Sequence, residues 1–243
     1  MSTQTSANSM SESDNGSRND RVIRRRRGIY LLPNLLTTTA LFFGFYAMVA
    51  AINNEFQNAA IGILVAMGMD GLDGRVARLT NTQSDFGVQY DSIADMVSFG
   101  VAPALVMYQW ALADLSSWGP VWGKLGWLGA FVYAACAGLR LARFNTQSGV
   151  ADKRYFQGLP SPPAAAVIAG MVWAGNRLSL GGVVMGIPAL VLTVLAGILM
   201  VSNVRYYSFK EIDFRYRVRF IVMVLLVLVL ALTSVHPPLV LFL

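Results

Sequence analysis

Four aspartates carry the chemistry that can be argued from this sequence. Asp70 and Asp73 stand three residues apart, and Asp91 and Asp95 four apart, so each pair projects from one face of a helix. Both pairs lie inside long apolar runs, where a charge costs about 2.5 to 3.5 kcal/mol on insertion scales and needs a partner. The stripes continue beyond the acids. Asp70, Asp73, Gly74, Ala77 and Arg78 occupy the positions that normally form a helix's apolar face, and Gly87, Asp91, Asp95 and Ser98 make a similar row. Small residues in such rows let a backbone or a ligand come close. The connection Thr80-Asn81-Thr82-Gln83-Ser84 is short, so the two helices are expected as antiparallel neighbours with their acidic faces meeting.

Four carboxylates without His or Cys make a hard-oxygen site suited to Mg²⁺ or Mn²⁺. Two divalent cations would balance the four charges. A pair of ions about 3.5 to 4 Å apart is a recurrent device for in-line displacement at phosphorus, and Arg78, two turns from Asp70, is placed to reach a phosphate. The lone cysteine, Cys136, and the lone histidine, His236, supply neither an internal disulfide nor a His cluster; they read as a small membrane-helix residue and a turn residue. By spacing alone Ser84 and Asp85 read as an N-cap pair, and Arg75, one position off the stripe, as a lipid or loop contact. A single intramembrane Asp would serve equally as a packing hydrogen-bonder or proton relay, and a cation or proton transporter is the rival class. It gives no role to the Gly, Ala and Arg positions of the stripes. A purely structural protein fits four costly acids least.

The elements that must position these acids follow from composition. Of 243 residues, 55% are apolar and 13% charged, with mean hydropathy +0.52, which excludes disordered and fibrous classes and indicates a membrane protein. Apolar runs of roughly the 20 residues a bilayer requires are centred on 33–52, 57–80, 85–112, 125–144, 161–177, 184–207 and 217–235. The chain stops within a further apolar stretch, Leu239 to Leu243, which is too short to span and reads as the start of an eighth helix. Residues 1–27 are polar and end in Arg24-Arg25-Arg26-Arg27, expected as a disordered cytoplasmic tail, and 28–243 as one membrane-embedded domain. With the N-terminus inside, seven spans place 17 of the 19 Lys and Arg residues on the cytoplasmic side, leaving Lys124 and Arg177 outside. The net charge of +6 is thereby explained by the membrane, with no nucleic-acid partner. The fold class is an all-α polytopic bundle.

The segment from Asp70 to Asp95, DGLDGRVARLTNTQSDFGVQYDSIAD, fits D-x2-D-G-x2-A-R-x8-G-x3-D-x3-D at every fixed position and so resembles the CDP-alcohol phosphatidyltransferase family. The resemblance implies a six-helix core with one or more further C-terminal helices. It implies an enzyme, usually a homodimer in the membrane, that displaces CMP from a CDP-linked lipid with an alcohol and two divalent metals, Mg²⁺ or Mn²⁺. Carried over, Asp70, Asp73, Asp91 and Asp95 hold the metals, with Asp95 also the general base. Gly74, Ala77, Arg78, Ser84 and Gly87 bind the nucleotide and pyrophosphate, and Pro33, Asn34 and Thr37 close over the CDP group.

The stretches Arg140-Leu141-Ala142-Arg143-Phe144-Asn145 and Phe156-Gln157-Gly158-Leu159-Pro160-Ser161-Pro162 resemble the family's phosphatidylserine synthase branch. They imply CDP-diacylglycerol and L-serine as substrates, in the inner membrane of a bacterium with the site facing the cytoplasm. Arg140, Arg143 and Asn145 are then candidates for the serine carboxylate, with lipid headgroup contact as the alternative role of the arginines. The rival within the family is the same reaction with glycerol phosphate, inositol or choline.

Overall fold

The computed structural model describes residues 34–80, 84–147, 155–202 and 205–207, the side chains of Arg78 and Gln147 and those of the two short strands excepted. Among these residues six helices follow one another: α1 (Asn34–Ile52), α2 (Phe56–Thr80), α3 (Asp85–Trp118), α4 (Pro120–Gln147), α5 (Ser161–Arg177) and α6 (Gly182–Val201). They match the first six expected spans. The seventh, 217–235, the Leu239–Leu243 stretch and the basic tail lie outside the described residues.

Four helices, α1, α3, α4 and α6, are long and apolar enough to cross a membrane, so the chain is an integral membrane protein. The other two depart from that pattern for visible reasons: α2 carries Asp70, Asp73, Arg75 and Arg78 in its second half, and α5 has 17 residues. The sixth expected span, 184–207, is shorter than its hydropathy suggests. Helix α6 ends at Val201, where Ser202 turns extended, and Arg205–Tyr207 forms a strand, β2, pairing antiparallel with β1, Tyr155–Gln157. The ribbon adds to the helical bundle at the end where α4 and α6 finish and α5 begins.

Helix α1 packs through a row of small residues, Thr37, Ala40, Gly44, Ala47 and Ala51, all buried. At Gly44 a Cβ would stand within 2.9 Å of the Ser98 backbone and side chain, and the buried Ser98 hydroxyl donates to the Ala40 carbonyl at 3.1 Å. Close backbone approach of this kind replaces the hydrophobic drive that is absent between helices in lipid.

Helix α3 continues past its expected end at 112 to Trp118, through π-helical turns at Met96–Val101 and Tyr108–Leu112 and a tight 3₁₀ turn. Pro103 explains how the first is tolerated. It cannot donate to the carbonyl four residues back, Phe99, and that carbonyl instead accepts the hydroxyl of the fully buried Tyr133 of α4 at 3.0 Å. A lost intrahelical bond thus becomes an interhelical one. The wider turns begin directly after Asp95, and π-turns concentrate where a helix positions functional groups.

All four aspartates lie toward one end of the bundle, where α1, α3 and α5 begin and α2, α4 and α6 finish. A cavity of about 410 Å³ lies at the other end, lined by Asn54, Gln109, Trp110, Asp114, Asn176 and Ser179 among others. It contains none of the four acids.

Candidate active site

Helices α2 and α3 bring three carboxylates together. Asp70, Asp91 and Asp95 each present an oxygen atom within 4.8 Å of the other two. Three of the four acids expected to meet therefore do so across the short α2–α3 connection. Asp73 faces a different neighbour. It is buried, 5% exposed, and its Oδ2 accepts a hydrogen bond from the Thr37 hydroxyl of α1, while Oδ1 is buried with no hydrogen-bond partner. A buried acceptor left unmatched costs about 1 to 3 kcal/mol, more when charged, so the arrangement calls for a cation. The oxygen-only donor set matches a hard divalent ion; the residues present fit the group that the sequence implied.

The other candidates among the described residues lie on α1 to α4. Ser84 is the N-cap of α3, extended at φ −121° and ψ 151°, and accepts from the Gly87 amide at 3.0 Å. A Cβ at Gly87 would stand 3.2 Å from Ser84 Oγ and 3.5 Å from Asn34 Oδ1, so Asn34, Ser84 and Gly87 form one corner where α1 and α3 begin. Nearby, the Thr38 hydroxyl and the Tyr90 phenol lie 2.9 Å apart and join the same two helices. Gly74 is exposed and Ala77 partly so, following Asp73 on α2. Arg78 lies on α2 with its side chain outside the described residues, and Pro33 is outside them too.

On α4 the two arginines part company. Arg140 is half-buried, has Asp95 as a charged neighbour and lies with its Cζ 6.0 Å from the Phe144 ring centre. Arg143 donates instead to the Val201 carbonyl at 3.1 Å and, more weakly, to that of Ser202 at 3.5 Å, satisfying the carbonyls that the end of α6 leaves open. Asn145 donates to Ser92 on α3 at 3.0 Å, one residue from Asp91.

Two residues here were missed by sequence reasoning. Ser92 is a polar residue beside the acidic stripe. Ser161 is fully buried and accepts from Arg140 Nη1 at 2.8 Å; it lies within the stretch 156–162 that resembles the family's phosphatidylserine synthase branch, but was not itself picked out as a site residue.

This geometry agrees with what the chain is similar to. The family model for CDP-alcohol phosphatidyltransferases matches residues 30–204. The chain belongs to that family. A relative of this phosphatidyltransferase from Helicobacter pylori is 37% identical over 201 residues, covering 83% of this chain and 82% of its own length, and is named CDP-diacylglycerol–serine O-phosphatidyltransferase. A protein of the same name from Methanocaldococcus jannaschii is 34% identical, covering 78% of this chain and 80% of its own. One from Mycobacterium tuberculosis is 40% identical over 157 residues, or 61% of this phosphatidyltransferase and 52% of the relative.

Proposed function

We propose that this phosphatidyltransferase transfers the phosphatidyl group from CDP-diacylglycerol to L-serine, giving phosphatidylserine and CMP. The observation that carries the reading is the convergence of Asp70, Asp91 and Asp95 from two helices, α2 and α3, beside an arginine suited to a carboxylate-bearing acceptor. The names of the relatives support serine over other alcohols.

Asp70, Asp73, Asp91 and Asp95 would hold two divalent cations, Mg²⁺ or Mn²⁺, which when bound would supply neutralisation of the pyrophosphate and of the departing phosphate. Asp95 accepts the proton of the serine hydroxyl. The serine oxygen forms its bond to the lipid-side phosphorus as the bond from that phosphorus to the bridging oxygen breaks, and CMP leaves with the electron pair. Arg140 holds the serine carboxylate and places the hydroxyl toward Asp95. Gly74, Ala77, Arg78, Ser84 and Gly87 receive the nucleotide and pyrophosphate, with Pro33, Asn34 and Thr37 at the opening of the first helix and Asn145 on the acceptor side. Thr37 acts through Asp73, to which it donates.

The same reading places residues 1–27 as a cytoplasmic tail and 28–243 as the membrane domain. The carboxylate end faces the cytoplasm, the membrane is a bacterial inner membrane and the enzyme is a homodimer. Basic residues clustered at that end support the sidedness.

The test is CMP release from detergent-purified protein given CDP-diacylglycerol, Mn²⁺ or Mg²⁺ and, separately, serine, glycerol phosphate, inositol or choline. The expected result is turnover with serine, lost by about 10²-fold or more in Asp95→Asn. No CMP with any alcohol would sink the enzyme reading, and near-normal turnover of Asp95→Asn would remove the base assignment.

A further inference from the structure

We infer that Ser161 is a positioning residue that sets the Arg140 guanidinium to receive the acceptor's carboxylate, and so contributes to selecting a carboxylate-bearing alcohol. The inference rests on the serine-transfer reading and adds a residue to it.

The local sequence frees the Ser161 hydroxyl for this task. A serine at the start of a helix is ordinarily recruited to backbone N–H groups of the first turn. Here the N-cap is Pro160 and no side chain caps the helix, while Pro162 and Pro163 have no N–H to offer. The first turn closes with the Ala164 amide on the Pro160 carbonyl at 3.2 Å. With those donors removed by sequence, the Ser161 oxygen is left to accept from Arg140 at 2.8 Å.

The platform beneath Ser161 is fixed. The Leu159 amide donates to the Leu199 carbonyl of α6 at 3.0 Å, and Gly158 has φ +80°, with a Cβ there colliding with the Met200 carbonyl. Arg143 holds the Val201 carbonyl from the other side. The end of α6, the start of α5 and the end of α4 are thus tied together, and the fully buried Ser161 stands at that junction.

Arg140 is otherwise a long side chain with many accessible rotamers. Ser161 holds one nitrogen of its fork, Phe144 lies beside the guanidinium, and Asp95 is its charged neighbour. The remaining N–H groups are those a carboxylate can accept in pairs. In serine the hydroxyl and carboxylate are joined through two carbon atoms, so the group that takes the proton and the group that holds the carboxylate must lie on the same side of the site, as Asp95 and Arg140, whose charges interact, do.

The experiment compares wild type, Ser161→Ala and Ser161→Thr as full chains in detergent, assayed for CMP release with CDP-diacylglycerol and Mn²⁺. The acceptors are L-serine and L-serinamide, which keeps the hydroxyl and amine and lacks the carboxylate. In Ser161→Ala the KM for serine should rise about tenfold, with kcat and the KM for CDP-diacylglycerol within about twofold of wild type, and the preference for serine over serinamide should fall about tenfold. Ser161→Thr, which keeps the hydroxyl, should restore both. An unchanged preference in Ser161→Ala, or equal losses for the two acceptors and the lipid, overturns the inference while leaving the serine reading intact. A wild type that releases CMP with another alcohol and not with serine overturns both.

Discussion

Thr37 and Asp73 meet across α1 and α2, and their hydrogen bond shows how one buried hydroxyl can orient one buried acid. With Oδ2 engaged, Oδ1 is fixed in direction and has no hydrogen-bond partner, which is how a ligand oxygen is made ready for a cation. Thr37→Val preserves shape and removes the donor, leaving a buried carboxylate less satisfied at a cost of about 1 to 3 kcal/mol. The expected outcome is an about tenfold fall in CMP release and a lower midpoint in a thermal melt, with Thr37→Ser close to wild type in both; a Thr37→Val enzyme with unchanged turnover would show that this bond does not set the site. The four acids were legible from sequence because helical periodicity and the cost of charge in lipid act within a single segment. The partner of Asp73 was not, since Thr37 is 36 residues away and no local pattern relates the two. The same holds for Ser161 and Arg140.

At the scale of elements, the buried apolar cluster is supplemented by close backbone approach and by carbonyls given new donors. Gly44 against Ser98, Tyr133 on the Phe99 carbonyl and Arg143 on the end of α6 are three instances. Arg140 and Arg143 are both candidates for the acceptor, and the last of these bonds gives Arg143 a structural role at the end of α6 as well. Arg143→Ala is expected to destabilise by about 1.5 to 3 kcal/mol, the usual worth of hydrogen bonds from a charged group, and to raise the KM for serine and for CDP-diacylglycerol alike. Arg140→Ala should raise the serine KM far more than the lipid KM. Melting curves and two-substrate kinetics on both variants check this, and a serine-specific effect of Arg143→Ala would return that residue to the acceptor site. The π-turns of α3 were invisible to hydropathy, which registers apolar residues at either helical pitch. The ribbon of β1 and β2 was hidden for a related reason, because 205–207 continues an apolar run that the chain's turn at Ser202 interrupts.

For the whole molecule, the carboxylate end is a place where charge is concentrated inside a membrane bundle, so binding of cations and stability are linked. Anything that binds only the folded state stabilises it, by about 2.7 kcal/mol at a concentration a hundredfold above Kd. Titration of the purified protein with Mn²⁺ or Mg²⁺ should therefore raise its apparent melting temperature, and Asp91→Asn should abolish most of the rise while melting no lower than wild type in the absence of metal, because removing one of three crowded acids relieves their mutual repulsion. A wild type indifferent to both ions would count against the metal assignment. The sequence by itself determined the membrane class, the six helices within the described residues, the acid pairs and the family, because each is written in a local period or a contiguous motif. Only the tertiary structure decided that Asp73 turns to Thr37 while Asp70, Asp91 and Asp95 converge, that Arg143 donates to the end of α6, and that a serine among prolines accepts from Arg140. Those outcomes depend on which side chains distant segments bring within hydrogen-bonding distance, and that is fixed by packing.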